Sequence, residues 1–117
     1  TGGSVTGLTC ANTSPVVNIN ANTINTLSSS GASSTVLGLA VTGATLTNAF
    51  QNTIHTLSGS GATSPLVHGM QVSGGTTVNM YRNKVYGLSQ SGAITSALLT
   101  VNPVKVYQSL LLILPKL

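Results

Sequence analysis

The sequence predicts an all-β fold: a right-handed parallel β-helix of about three to four coils of 30–31 residues, with three short strands per coil. Two observations predict it, a long internal repeat and a two-residue periodicity inside each copy. NTINTLSSSGASS at 22–34 returns as NTIHTLSGSGATS at 52–64 and as NKVYGLSQSGAIT at 83–95, at spacings of 30 and 31 residues. VLGLAVTGAT at 36–45 is answered by VHGMQVSGGT at 67–76. Ahead of each core stand VVNINAN (16–22), LTNAFQN (46–52) and TVNMYRN (77–83), and SVTGL at 4–8 is a partial first copy of TVLGL at 35–39. A period of this length marks an array whose units cannot bury their apolar faces alone and must stack on neighbours.

Each copy resolves into three apolar-alternating stretches, V-x-N-x-x, N-x-I-x-x-L and V-x-G-Φ-x-V, where Φ is apolar. Val and Ile at every second position over four to six residues is the pattern of a strand with one buried face. No stretch of ten residues offers the i, i+3, i+4, i+7 spacing of a helix. The SxSGA segments predict Gly-centred turns after the second strand, and TGA or SGG closes the third.

Stacking the copies gives columns. Ile24, Ile54 and Val85 point inward, as do Leu27, Leu57 and Leu88, and a further column is expected of Leu39, Met70 and Val101. Asn18, Asn48 and Asn79 align, and so do Asn22, Asn52 and Asn83. Asn repeated at a bend can pass amide hydrogen bonds from one copy to the next, so these six residues are expected to form structural ladders.

The chain has no Asp, no Glu and a net charge of +4. A glycosidase acid pair, an aspartic dyad, an EF-hand and a Ser-His-Asp triad are thereby excluded. Cys10 alone forms neither an internal disulfide nor a zinc cage, and no metal or other cofactor is expected. The four cations, Arg82, Lys84, Lys105 and Lys116, are too sparse for a nucleic-acid stripe. LLLIL at 110–114 is far short of the roughly 20 residues of a membrane span. The organisation expected is a repeat domain over 1–102 and an apolar cap or atypical tail over 103–117, where PVKVYQSLLLILPKL abandons the pattern.

The pattern N-[KT]-[IV]-x-x-L-S-x-S-G, followed by V-x-G-Φ-x-[VS]-x-G-G-T-T-V-N, resembles the repeats of secreted right-handed β-helix proteins of Bacteroidetes type. Residues 16–101 carry the resemblance. It implies the parallel β-helix architecture and a secreted or cell-surface location, and it does not single out an activity. That fold class includes adhesins, carbohydrate-binding shafts and polysaccharide lyases.

With Ile24, Ile54 and Val85 inward, the outward columns are Asn25–His55–Tyr86 and Thr23–Thr53–Lys84. Arg82 precedes them at the bend. On a lyase reading, Arg82 neutralises a uronate carboxylate while Lys84, His55 or Tyr86 takes the α-proton. Phe50 and Tyr81 share a column and offer a weaker ligand site, a pair of rings that can hold a sugar. His68 is expected at a buried or edge position. The leading expectation is a structural or adhesive module that binds glycan, with a lyase as the alternative. A second alternative, ice binding, rests on the short columns Thr23/Thr53 and Thr26/Thr56. Self-association through the coil ends is expected, because terminal strands expose unpaired backbone groups.

Overall fold

The computed structural model describes residues 3–61 and 65–91 with their side chains, and residues 96–100 and 105–114 along the backbone. Ten strands follow in order: β1 Ser4–Cys10, β2 Val16–Asn20, β3 Thr23–Ser29, β4 Thr35–Val41, β5 Leu46–Phe50, β6 Thr53–Gly59, β7 Leu66–Val72, β8 Thr77–Gln90, β9 Ser96–Thr100 and β10 Lys105–Leu114. No helix occurs among the described residues. Every strand pairing is parallel, in two sheets. One runs β1-β4-β7-β9; the other runs β2-β5-β8-β6-β3, with β10 also on β8.

The pairing register is the sequence repeat made physical. Thr23 faces Thr53 and then Lys84; Ile24 faces Ile54 and then Val85; Leu27 faces Leu57 and then Leu88. Ile54, Leu57 and Val85 are fully buried, as are Val36, Leu39, Val67, Val72, Val78 and Met80. These side chains join into one apolar cluster between the sheets. One expected column is corrected: Met70 pairs with Leu98, whereas Val101 lies outside the described residues. Three strands per copy holds for the first two copies. In the third, β8 fuses the two strands that β5 and β6 keep apart, because β10 pairs with it on both sides of Arg82. Within the expected 103–117 segment, Lys105–Leu114 continues the second sheet; Pro103 and Lys116 lie outside the described residues.

The bend between β2 and β3, and between β5 and β6, is made by one left-handed residue. Ala21, Gln51 and Arg82 have φ of 57°, 55° and 55°. A side chain in that region costs roughly 1–2 kcal/mol, so something must hold the bend. The inner Asn ladder does. Asn22 donates from both N and Nδ2 to Asn52 Oδ1, at 3.1 and 3.0 Å. Asn52 does the same to Asn83 Oδ1, at 3.1 and 3.0 Å, and its second amide hydrogen goes to the Ile19 carbonyl at 2.9 Å. Asn83 Nδ2 donates to the Ala49 carbonyl at 2.9 Å. Asn52 and Asn83 are buried, so these bonds replace water that cannot reach them. The outer ladder runs the other way, Asn79 Nδ2 to Asn48 Oδ1 and Asn48 Nδ2 to Asn18 Oδ1, both 2.9 Å.

Glycine acts here mainly through close approach. A Cβ on Gly38 would stand 2.5 Å from Ile54 Cγ2 and nearer still to the Gly69 carbonyl oxygen. A Cβ on Gly61 would collide with the carbonyl oxygen of Gly31 in the copy beside it. The expected Gly-centred turn in SxSGA is therefore corrected in its first copy. There the left-handed residue is Ser33, with φ 55°, and Gly31 accepts the turn hydrogen bond from Ser34 N at 3.1 Å. The turn after the third strand matches expectation, with Ala44 at φ 70° and Gly75 at φ 92°.

Asn52→Leu should destabilise the fold by about 1–3 kcal/mol, since it strands the buried Ile19 carbonyl and removes the acceptor of both half-buried Asn22 donors. Gly38→Ala should cost a similar amount, about 1–3 kcal/mol, through overpacking. Asn18→Ala, on the exposed outer ladder, should stay within about 0.5 kcal/mol. Urea denaturation of the three variants checks the ranking; an Asn52→Leu midpoint equal to that of the parent would contradict the ladder's role.

Candidate functional site

Four outward columns of the second sheet change character along the stack. Asn20 is followed by Phe50 and Tyr81, and Asn25 by His55 and Tyr86. Thr23 is followed by Thr53 and Lys84, and the left-handed position by Ala21, Gln51 and Arg82. Small or polar residues in the first copy become aromatic or cationic in the third. The last two copies thus carry a strip that bends around the Arg82 corner.

Parallel pairing forces the rings of a column onto one another. Phe50 and Tyr81 are stacked with centroids 4.9 Å apart and planes within 1°. His55 and Tyr86 are stacked at 4.9 Å and 8°. That separation matches the spacing of adjacent strands, about 4.8 Å, so the backbone sets the stack. Lys84 Nζ stands 5.0 Å from the Tyr86 ring centroid, a cation–π contact. His55 Nδ1 is 2.8 Å from Thr56 Oγ1. All four rings are half-buried, while Arg82 and Lys84 are exposed.

Of the residues expected to carry chemistry, His55, Lys84 and Tyr86 come together on one face. Arg82 sits at the bend between that cluster and the Phe50–Tyr81 pair. Since the chain has no Asp or Glu, no acidic side chain opposes the two cations. Among the described residues no group of three His, Cys, Asp or Glu is placed to hold a metal. No helix among them is long and apolar enough to cross a membrane. The threonine columns are short. Thr53 is followed by Lys84, and the Thr26 and Thr56 hydroxyls are engaged by Asn25 Oδ1 at 2.7 Å and by His55. Cys10 is buried.

Sequence reasoning foresaw both ring stacks but not the Thr56 contact to His55. Thr56 has φ 58°, and this left-handed residue turns its hydroxyl toward its neighbour. Strand alternation carries no signal for such a left-handed residue. Comparison of the chain with protein-family models, curated proteins and solved structures returns no match.

His68 is buried on β7 and its Nδ1 has no hydrogen-bond partner. Burial disfavours the charged ring and holds its pKa below the ordinary 6.5. The unfolded chain therefore binds this proton at a higher pH than the folded chain does. Stability is unaffected well above 6.5 and is lost as pH falls through that value. With no acidic side chains and only two histidines, few other side chains titrate in this range. The melting temperature should be level from about pH 8 to 7 and fall below about pH 6.5. His68→Leu should remove most of that fall; an unaltered slope in the variant would refute the assignment.

Proposed function

We propose that the chain is a module of a right-handed parallel β-helix from a secreted or cell-surface adhesive protein of the Bacteroidetes type it resembles. Its outer face, we infer, binds acidic polysaccharide. The helical reading is supported by the order of pairing. The strands of the first sheet return to it as parallel neighbours, 31 residues later from β1 to β4 and from β4 to β7 (Ser4 to Thr35, Thr35 to Leu66) and 28 later from β7 to β9 (His68 to Ser96), after passing through the second. Parallel returns of this kind are right-handed in nearly all proteins.

One observation carries the binding reading. Two stacked aromatic pairs flank Arg82 and Lys84, and no carboxylate side chain exists to neutralise the cations. Rings present flat apolar surface to the C–H faces of a sugar, while the cations meet its carboxylate or sulfate groups. Strand pairing fixes the rings in advance, so little conformational entropy is lost on binding. A long polymer can lie along the strip and engage both ring pairs together.

The protein should bind pectic, alginate or glycosaminoglycan chains in a salt-sensitive manner, measured by calorimetry or on a glycan array. Tyr81→Ala and Tyr86→Ala should each weaken binding about threefold to tenfold, the value of one aromatic stack. Replacing Arg82 and Lys84 with Gln should remove the salt dependence. Binding that ignores all four substitutions would overturn the assignment of the face. Release of an unsaturated, ultraviolet-absorbing product, abolished by Lys84→Ala and by Tyr86→Phe, would instead make this face a lyase site.

A further inference from the structure

The two Asn ladders differ in what the fold requires of them. The inner ladder holds the left-handed corner at Ala21, Gln51 and Arg82. The outer ladder, Asn18–Asn48–Asn79, lies in straight strand, and none of its members has a positive φ. All three copies nevertheless keep Asn there, while the outward columns on either side change from Val16 to Leu46 to Thr77 and from Asn20 to Phe50 to Tyr81.

Valence leaves this ladder able to bind. A side-chain amide has two N–H donors and an oxygen with two lone pairs. Asn48 donates one hydrogen to Asn18 Oδ1 and accepts one at its own Oδ1 from Asn79 Nδ2, both at 2.9 Å. One N–H and one lone pair remain, on a half-buried residue of an outward column. Two residues along each strand, about 7 Å at a rise of about 3.3 Å per residue, stand the stacked rings of Phe50 and Tyr81. A donor and an acceptor on one amide suit the hydroxyl or acetamido groups of a sugar, and the neighbouring rings suit its C–H surface.

Charge divides this face. The outward residues Leu46, Asn48, Phe50, Thr77, Asn79 and Tyr81 carry none. Arg82 and Lys84 begin at the bend, and backbone register places Lys105 beside Thr77 at the other end. An uncharged stretch thus lies between cationic positions. A polymer with a carboxylate on every sugar would bring one onto amides and rings that offer it no opposite charge, at a desolvation cost. We propose that Asn48, Phe50 and Tyr81 form a subsite for a neutral, hydroxyl-rich sugar, so that the face selects acidic polysaccharides in which acidic and neutral residues alternate. The remaining Asn48 N–H donates to a hydroxyl or acetamido oxygen of that sugar, and the remaining lone pair accepts from a hydroxyl. The adjoining acidic sugar meets Arg82 and Lys84. This assignment rests on the acidic-polysaccharide reading of the same face.

Calorimetry on the full chain tests it with two octasaccharides. Hyaluronan alternates a uronate with a neutral acetamido sugar; polygalacturonate has a uronate at every position. Charge density alone favours polygalacturonate. The subsite predicts the reverse order, with hyaluronan bound about tenfold more tightly. Asn48→Leu, close in size, should weaken hyaluronan about threefold to tenfold and leave polygalacturonate unchanged. Polygalacturonate bound as tightly as hyaluronan, or more tightly, would overturn the subsite and leave the acidic face standing. Equal weakening of both by Asn48→Leu would also overturn it, as the mark of a ladder with a structural role alone. Binding of neither octasaccharide would overturn the face itself, and the subsite with it.

Discussion

The structure depends on one constraint: from β1 through β8, each paired residue lies against its equivalent 30 or 31 positions away, across a strand spacing of about 4.8 Å. Any group must tolerate a near-copy of itself at that distance above and below. Like charges do not, and residues 1–81 carry no charged side chain. Amides do, because each Asn is both donor and acceptor. Aromatic rings do, because coplanar stacking suits that spacing. Branched aliphatic side chains do by packing in files. The composition that looks odd as a list, rich in Asn, Ser, Thr and Gly and without acids, is what this neighbour rule selects.

The same rule explains how the chain bends without glycine at its tightest corner. A left-handed Ala21, Gln51 or Arg82 is unfavourable alone. Its cost is offset because the bend lets Asn52 reach the Ile19 carbonyl while still contacting both neighbours in its ladder. The bend and the ladder are one device. Glycine is kept for places where backbone meets backbone, as at Gly61 against Gly31, or where the sheets draw together, as at Gly38 against Ile54. The inner ladder keeps the corner in place, and the corner aims β3, β6 and the second half of β8 toward the other sheet.

Much of this was legible from the sequence because stacking converts alignment into contact. Once 16–34, 46–64 and 77–95 are laid over each other, the inward files of the second sheet, the six Asn and both ring pairs follow with no further physics. What was not legible lies where the repeat is broken or where backbone conformation decides. The glycines of SxSGA looked like turn residues, and only the carbonyl packing reveals why Gly61 cannot bear a side chain. Met70 was matched to Val101 by extending the period, yet Leu98 takes the place, because the last copy departs from the spacing of those before it. The fusion of β8 arises from β10, a segment outside the repeat. Alternation gave no hint of the polarity of either ladder, since Asn reads the same in both directions until its backbone bonds are known.

Stacking also determines where a site can arise. Inward positions are closed by packing, and the inner-ladder positions are closed by reciprocal bonding, so substitution at either breaks contacts in two neighbouring copies. Outward columns are open to water and lose little by changing. It is there that Asn20 gives way to Phe50 and Tyr81, Asn25 to His55 and Tyr86, and Thr23 and Thr53 to Lys84. Because a column is continuous, one aromatic residue favours another beside it, and a strip of rings and cations grows copy by copy along the stack. The first copy is plain on its outer face. The third carries its rings and cations there. A repeat scaffold can thus change its outer face from copy to copy while its inward files and ladder amides stay the same.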